Sequence, residues 1–116
     1  MPRFDDFCWI AAQETNVYAG LAAVMALQYR RPEYFGRALA EMLFFLGEDK
    51  LLYGSDYSIW ASRWQIEKFM RYQLPESLTA EVGTQLTVAT KKKILGLNAA
   101  RLYEVAPNAE RAALAA

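Results

Sequence analysis

Apolar residues recur along this chain mostly at the three-and-four spacing of helices, interrupted twice by short runs with the composition of strands. Phe4, Phe7, Cys8 and Ala11 mark the inner stripe of a helix over about residues 2–14. Pro2 is tolerated in its first turn, and Asp5 and Asp6 suit the positive end of its dipole. After a break at Thr15-Asn16, the run Asn16-Val17-Tyr18-Ala19 opens a short strand, with β-branched and aromatic residues at its head. Leu21 to Leu27 reads either way, because Ala, Leu and Met are strong helix formers. Pro32 and Glu33 begin the next helix, with Phe35, Ala38, Leu39, Met42 and Leu46 as its stripe and Gly47 as a left-handed cap. Its last turn, Leu43 to Leu46, is apolar all round, which calls for burial on more than one face. Lys50 to Gly54 is a short, buried strand. A third helix covers about 61–73, with Ile66, Phe69 and Met70 on one side, and stops before Pro75. Pro75 to Leu86 holds Pro, Ser, Thr and Gly and is expected to be a loop. Residues 87–97 are helical, and Asn98 is placed to cap a last helix over 99–105. The tail beyond Pro107 is rich in Ala and short of core residues.

This order predicts an α/β, helix-rich fold of βαβ units in one domain, residues 1–116. Two parallel strands are not a sheet in themselves; they want neighbours on each side and helices on both faces.

Composition narrows the chemistry. Thirteen Lys plus Arg balance thirteen Asp plus Glu, which argues against nucleic acid or an anionic membrane as partner. The chain has no histidine, which removes the commonest general base, the commonest zinc ligand and every Ser-His or Cys-His pair. A single cysteine, Cys8, excludes an internal disulfide and suits a reducing compartment. The start has two acids where a signal peptide would be basic, and the longest apolar run is about half of the ~20 residues that span a bilayer. A cytoplasmic protein is expected. The apolar share is 54 %, more than one small core needs, so part of it is expected to face a partner.

Two separated blocks carry a family signature. Asp49-Lys50-Leu51-Leu52-Tyr53-Gly54-Ser55-Asp56-Tyr57 is followed by Ile94-Leu95-Gly96-Leu97-Asn98-Ala99-Ala100-Arg101-Leu102-Tyr103. Together they resemble the C-terminal signature of the amidohydrolase superfamily, in its branch of metal-dependent hydrolases and decarboxylases. The Asn16-Val17-Tyr18 turn looks like that family's entry to its seventh strand. The resemblance implies a piece of a (β/α)8 barrel: the last two βα units plus C-terminal helices, not a complete barrel. It also implies a metal site built from histidines and one Asp, of which only the Asp is matched, at Asp56. One carboxylate cannot hold a catalytic zinc, which takes about three protein ligands. Asp56 is therefore expected to be vestigial, bracing the turn after its strand. No catalytic residue, metal or cofactor is expected.

The remaining candidates have plainer readings. Cys8 lies on a buried stripe with no basic neighbour, so it is expected to pack the core. Lys91-Lys92-Lys93 reads as a solvated helix face. Trp9, Tyr29, Tyr53, Trp60, Trp64 and Tyr72 are the interface candidates, since large aromatic rings dominate protein contacts. The expected role is a non-catalytic accessory subunit that docks on a larger enzyme complex as part of a hetero-oligomer. Resemblance to amidohydrolase-like proteins encoded beside bacterial soluble diiron monooxygenases implies that the partner is a hydroxylase component. The alternative is the C-terminal part of a split metal-dependent amidohydrolase, completed by a chain that carries the histidines.

Overall fold

The computed structural model describes residues 4–83 and 85–106; Pro2 and the Ala-rich tail lie outside them. Helix α1, Phe4–Gln13, buries Cys8 and Ala11 and carries Asp5 and Asp6 in its first turn. It has no basic residue of its own in the last turn. Lys50 supplies the cation from elsewhere: its Nζ donates to the carbonyls of Ala11 at 2.9 Å and Glu14 at 2.6 Å. A positive group on the free carbonyls of a helix end satisfies them and complements the dipole.

The strands are shorter than the sequence suggests. β1 is Ala19–Gly20 and β2 is Leu51–Leu52, paired in parallel with Ala19 opposite Leu51 and Gly20 opposite Leu52. The ladder continues by one bond on each side, Ala19 N–H to Lys50 O at 2.9 Å and Leu21 N–H to Leu52 O at 2.8 Å. The ambiguous stretch after β1 resolves as a turn, a 3₁₀ segment at Val24–Ala26 and the single-turn helix α2, Leu27–Arg30.

Helix α3, Pro32–Leu46, is the axis of the core. It starts with Pro at N1, where the missing N–H costs nothing, and buries Phe35, Leu39, Met42, Leu43 and Leu46. These residues join Leu21, Met25, Leu51, Phe69 and Ile94 in one cluster. Gly47 donates its N–H to Leu43 O, with φ 75 and ψ 173. That conformation is open essentially to Gly alone and is not the helical left-handed cap expected.

Helix α4, Ser62–Arg71, lies where the periodicity places it, but its buried residues are Gln65 and Phe69, with Ile66 and Met70 only half-buried. The expected loop at 75–86 is a helix for much of its length: α5, Glu76–Val82, ended by Gly83. Leu78 and Val82, four apart, pack against the α3 cluster, and that contact outweighs the weak propensities of Ser and Thr. Gln85 ties down the rest, accepting from Leu74 N–H and Leu86 N–H, each at 2.9 Å.

The C-terminal helices are one continuous rod. α6, Val88–Lys92, passes through a π-helical turn at Lys93–Leu97 into α7, Asn98–Leu102. Thr87 caps its start, its side chain accepting from Thr90 N–H at 3.1 Å. Asn98 is not a cap, because no new helix begins there. It is fully buried, and its Nδ2 donates instead to Glu48 O at 2.7 Å and Leu51 O at 2.9 Å. With Tyr53 N–H donating to Ile94 O at 2.9 Å, the rod seals the outer edge of β2.

Candidate functional site at the strand ends

The C-terminal ends of the strands bring Leu21-Ala22-Ala23 beside Tyr53-Gly54-Ser55-Asp56. Their approach explains the glycine in the second block. A Cβ on Gly54 would lie 3.0 Å from Ala22 Cβ and 3.1 Å from Ala22 N, closer than side chains normally come. Beyond it, Ser55 Oγ accepts from Tyr57 N–H at 3.2 Å, and Asp56 O accepts from Ile59 N–H at 3.1 Å. Asp56 is exposed, at φ 56, a left-handed conformation that Asp tolerates. Its carboxylate takes no hydrogen bond among the described residues. The turn is therefore braced by the Ser55 hydroxyl and by backbone, not by the Asp56 side chain as expected.

Two buried glutamines with no special signal in the sequence lie behind this corner, and Gln65 holds it directly. Gln65 is buried on α4; its Nε2 donates to Ser55 O at 2.9 Å and its Oε1 accepts from Tyr53 OH at 3.3 Å. Gln28 is buried on α2 and donates to Met25 O at 2.9 Å, while its own Oε1 has no partner. A buried amide with one side unmatched marks a polar corner whose second acceptor site is unused.

The basic triplet divides three ways, which corrects its reading as a solvated face. Lys92 is exposed, but Lys91 is buried, and its Nζ donates to Met70 O at 3.0 Å in the last turn of α4. Burial pushes its pKa below the ordinary lysine range. Lys93 bonds Glu48 and lies 3.0 Å from Asp49, which Arg101 also approaches at 3.5 Å. The Lys93 hydrogen bond, then that of Thr90, holds Glu48 below the usual carboxylate range, and Lys93 does the same to Asp49. This cluster joins the α3–β2 turn to the C-terminal rod.

The aromatic candidates fall into two groups. Tyr53 and Tyr72 are half-buried and engaged within the chain: Tyr72 sits edge-on to Phe35, with centroids 5.0 Å apart. Trp9 and Trp64 are 63 % and 64 % exposed. Tyr29 lies between the groups, donating its hydroxyl to Trp64 O at 2.6 Å under the Lys68 ammonium. Half-buried Trp60 has Arg30 5.6 Å from its ring. Phe7, Ile10, Phe44, Tyr57, Ile59 and Tyr103 are also exposed and were not among the candidates. The all-round apolar last turn of α3 called for burial on more than one face; Leu43 and Leu46 are buried there, but Phe44 stands out in water.

The donor set does not fit the metal that the sequence signature implies. Among the described residues, no group of three or more His, Cys, Asp and Glu side chains could hold an ion. Cys8 is buried, and burial, followed by Glu41 and Asp5, pushes its thiol up to about 11, so it offers no thiolate near neutrality. No helix among the described residues is long and apolar enough to cross a membrane. A family model described as Amidohydrolase matches residues 1–105. No curated protein and no solved structure matches the chain.

Proposed function

The chain belongs to the amidohydrolase family, and from that premise we propose that it serves as a non-catalytic accessory subunit that docks on a larger protein assembly. The observation that carries the reading is the donor set: no histidine in the chain and no cluster of candidate ligands among the described residues. A catalytic zinc needs about three protein ligands, and Asp56 is one. The exposed rings of Trp9, Phe44 and Trp64 support docking, since large apolar groups left in water mark interaction surfaces. A hydroxylase of a soluble diiron monooxygenase is the partner suggested by the resemblance of the two sequence blocks; the expected setting is the cytoplasm.

A second reading, the C-terminal part of a split amidohydrolase, is favoured by the outer edge of β1. In this register the N–H and C=O of Gly20 point away from β2, and they have no backbone partner among the described residues. Beside them lies an apolar hollow of about 370 Å³ lined by Phe4, Phe7, Tyr18, Val24 and Met42. An added strand from another chain would fit that edge.

Purification of the native assembly separates the two readings. A larger co-purifying chain, with no stoichiometric metal and no effect of Asp56→Ala on any hydrolase activity, is the expected result. Bound metal together with hydrolysis abolished by Asp56→Ala would establish the split enzyme instead.

A further inference from the structure

A groove of about 1150 Å³ runs between α1, α3 and α5. Pockets for small molecules hold ~300–1,000 Å³, so this one has room for a row of side chains. Phe4, Phe44, Phe45 and Val82 give it an apolar lining, and Phe44 is 62 % exposed, edge-on to Phe45. The charged groups on its walls are nearly all of one sign: Asp5, Glu33, Glu41 and Glu81 against Arg37. The whole chain carries thirteen charges of each sign, so acid is concentrated here. Glu33 and Glu41 stand one turn to either side of Arg37, yet among the described residues no ion pair joins it to either. The field of these acids reaches inward, since Glu41 and Asp5 add to burial in raising the Cys8 thiol.

We propose that this groove docks a cationic amphipathic helix of another protein, with its apolar ridge on Phe44 and Phe45 and its Lys or Arg residues against the acidic walls. The inference rests on the reading of the chain as a docking subunit and gives the chemistry of the partner. The walls are helices whose backbone bonds are internal, so an extended peptide would gain no main-chain bonds here. A helix arrives with its own backbone satisfied and presents apolar groups at i, i+3, i+4 and i+7 to such a groove. Opposite charge on the walls sets the orientation and speeds encounter.

The test is calorimetric titration of the chain with a synthetic amphipathic helix of Leu and Lys, beside a counterpart with Glu for every Lys. The Lys peptide should bind and the Glu peptide should not, and moderate salt should weaken the Lys peptide at least about tenfold. The double variant Glu41→Lys, Glu81→Lys should lose at least about tenfold in affinity while still unfolding as a cooperatively folded chain, since Glu81 is exposed and Glu41 is half-buried. Phe44→Ser should lose binding of the same peptide. Equal binding of both peptides, or indifference to the charge reversals, would overturn the proposal. So would a dimer of the chain that Phe44→Ser dissolves, which would assign the groove to a second copy. A native assembly that survives the double variant would defeat this inference and leave the docking role standing. Peptide binding without any native assembly would do the reverse.

Discussion

Lys91 and Lys92 are neighbours of one chemical type and opposite circumstance. The Lys91 ammonium is drawn out of water to serve the free carbonyl end of α4, through Met70 O. Its lowered pKa states the cost: the charged form is disfavoured in the folded chain, fully so below the folded pKa, and the penalty is relieved as pH rises toward the unfolded value of 10.5. Reversing the charge there would bury a carboxylate against a carbonyl oxygen. Lys91→Glu should destabilise the chain by about 3 kcal/mol or more, whereas Lys92→Glu, on the exposed side of the same helix, should stay within about 0.5 kcal/mol. Urea unfolding of the two variants decides it; equal midpoints would mean that Lys91 reaches solvent. Gly54 gives a second contrast at this scale. Its Cβ would press on the backbone of Ala22, and backbone cannot swing aside as a side chain does. Gly54→Ala should therefore cost about 1–3 kcal/mol, and a variant as stable as the parent would show that the strand ends do not meet.

Between elements, the fold depends on polar ties from distant segments: Lys50 on the end of α1, Lys91 on the end of α4, and Glu48 and Asp49 bound to the rod through Thr90, Lys93, Asn98 and Arg101. Glu48 and Asp49 have folded pKa values below their ordinary 4.5 and 3.8. A depressed carboxylate adds stability above its unfolded pKa and loses it as pH falls through the folded one. Lys93, raised above 10.5, loses its share as pH rises through its folded value. The thermal midpoint of the parent should thus fall more steeply below about pH 4.5 than that of Glu48→Gln, and the gap between them should close at the acid end. Parallel curves would mean that the cluster does not hold the rod. None of these ties was legible in the sequence, for a physical reason. Hydrophobic period places α1, α3 and α4 because each buries a stripe of its own residues. The partner of Lys91 lies 21 positions away, and those of Asn98 lie 50 and 47. Strand length also escaped, since two residues of β1 meet two of β2 and only pairing decides how far the ladder runs. Helix α5 was hidden by its Ser and Thr, although Leu78 and Val82 carried the spacing. Of the candidate site, the Gly-Ser-Asp turn was visible as a motif; Gln65, which holds it through Ser55 O, was not.

The whole molecule is built around one core on α3, with strand pairing closed on one side and open on the other. The rod seals β2, and nothing among the described residues seals Gly20. An exposed edge beside an apolar hollow invites association, and the rings of Trp9 and Trp64 add area that water does not favour. In isolation the chain should form soluble oligomers or aggregate, and co-expression with its partner should bring it into a defined complex; a sharp-melting monomer in sedimentation would count against this. Trp64 lends itself to a separate test, because its ring is mostly in water and contributes little to the core. Trp64→Ala should leave the melting of the isolated chain nearly unchanged. If the ring sits at the centre of a contact, the same change should weaken the complex by about 2–4 kcal/mol, roughly 30- to 1,000-fold in affinity. Titration of partner against both forms, at low and at moderate salt, reads the two faces apart. Loss at Trp64 should be insensitive to ionic strength, as apolar burial is, whereas loss on reversing Glu41 and Glu81 should be largest at low salt. A complex indifferent to Trp64→Ala in both buffers would remove the α4 face from the interface and leave the acidic groove to carry the contact.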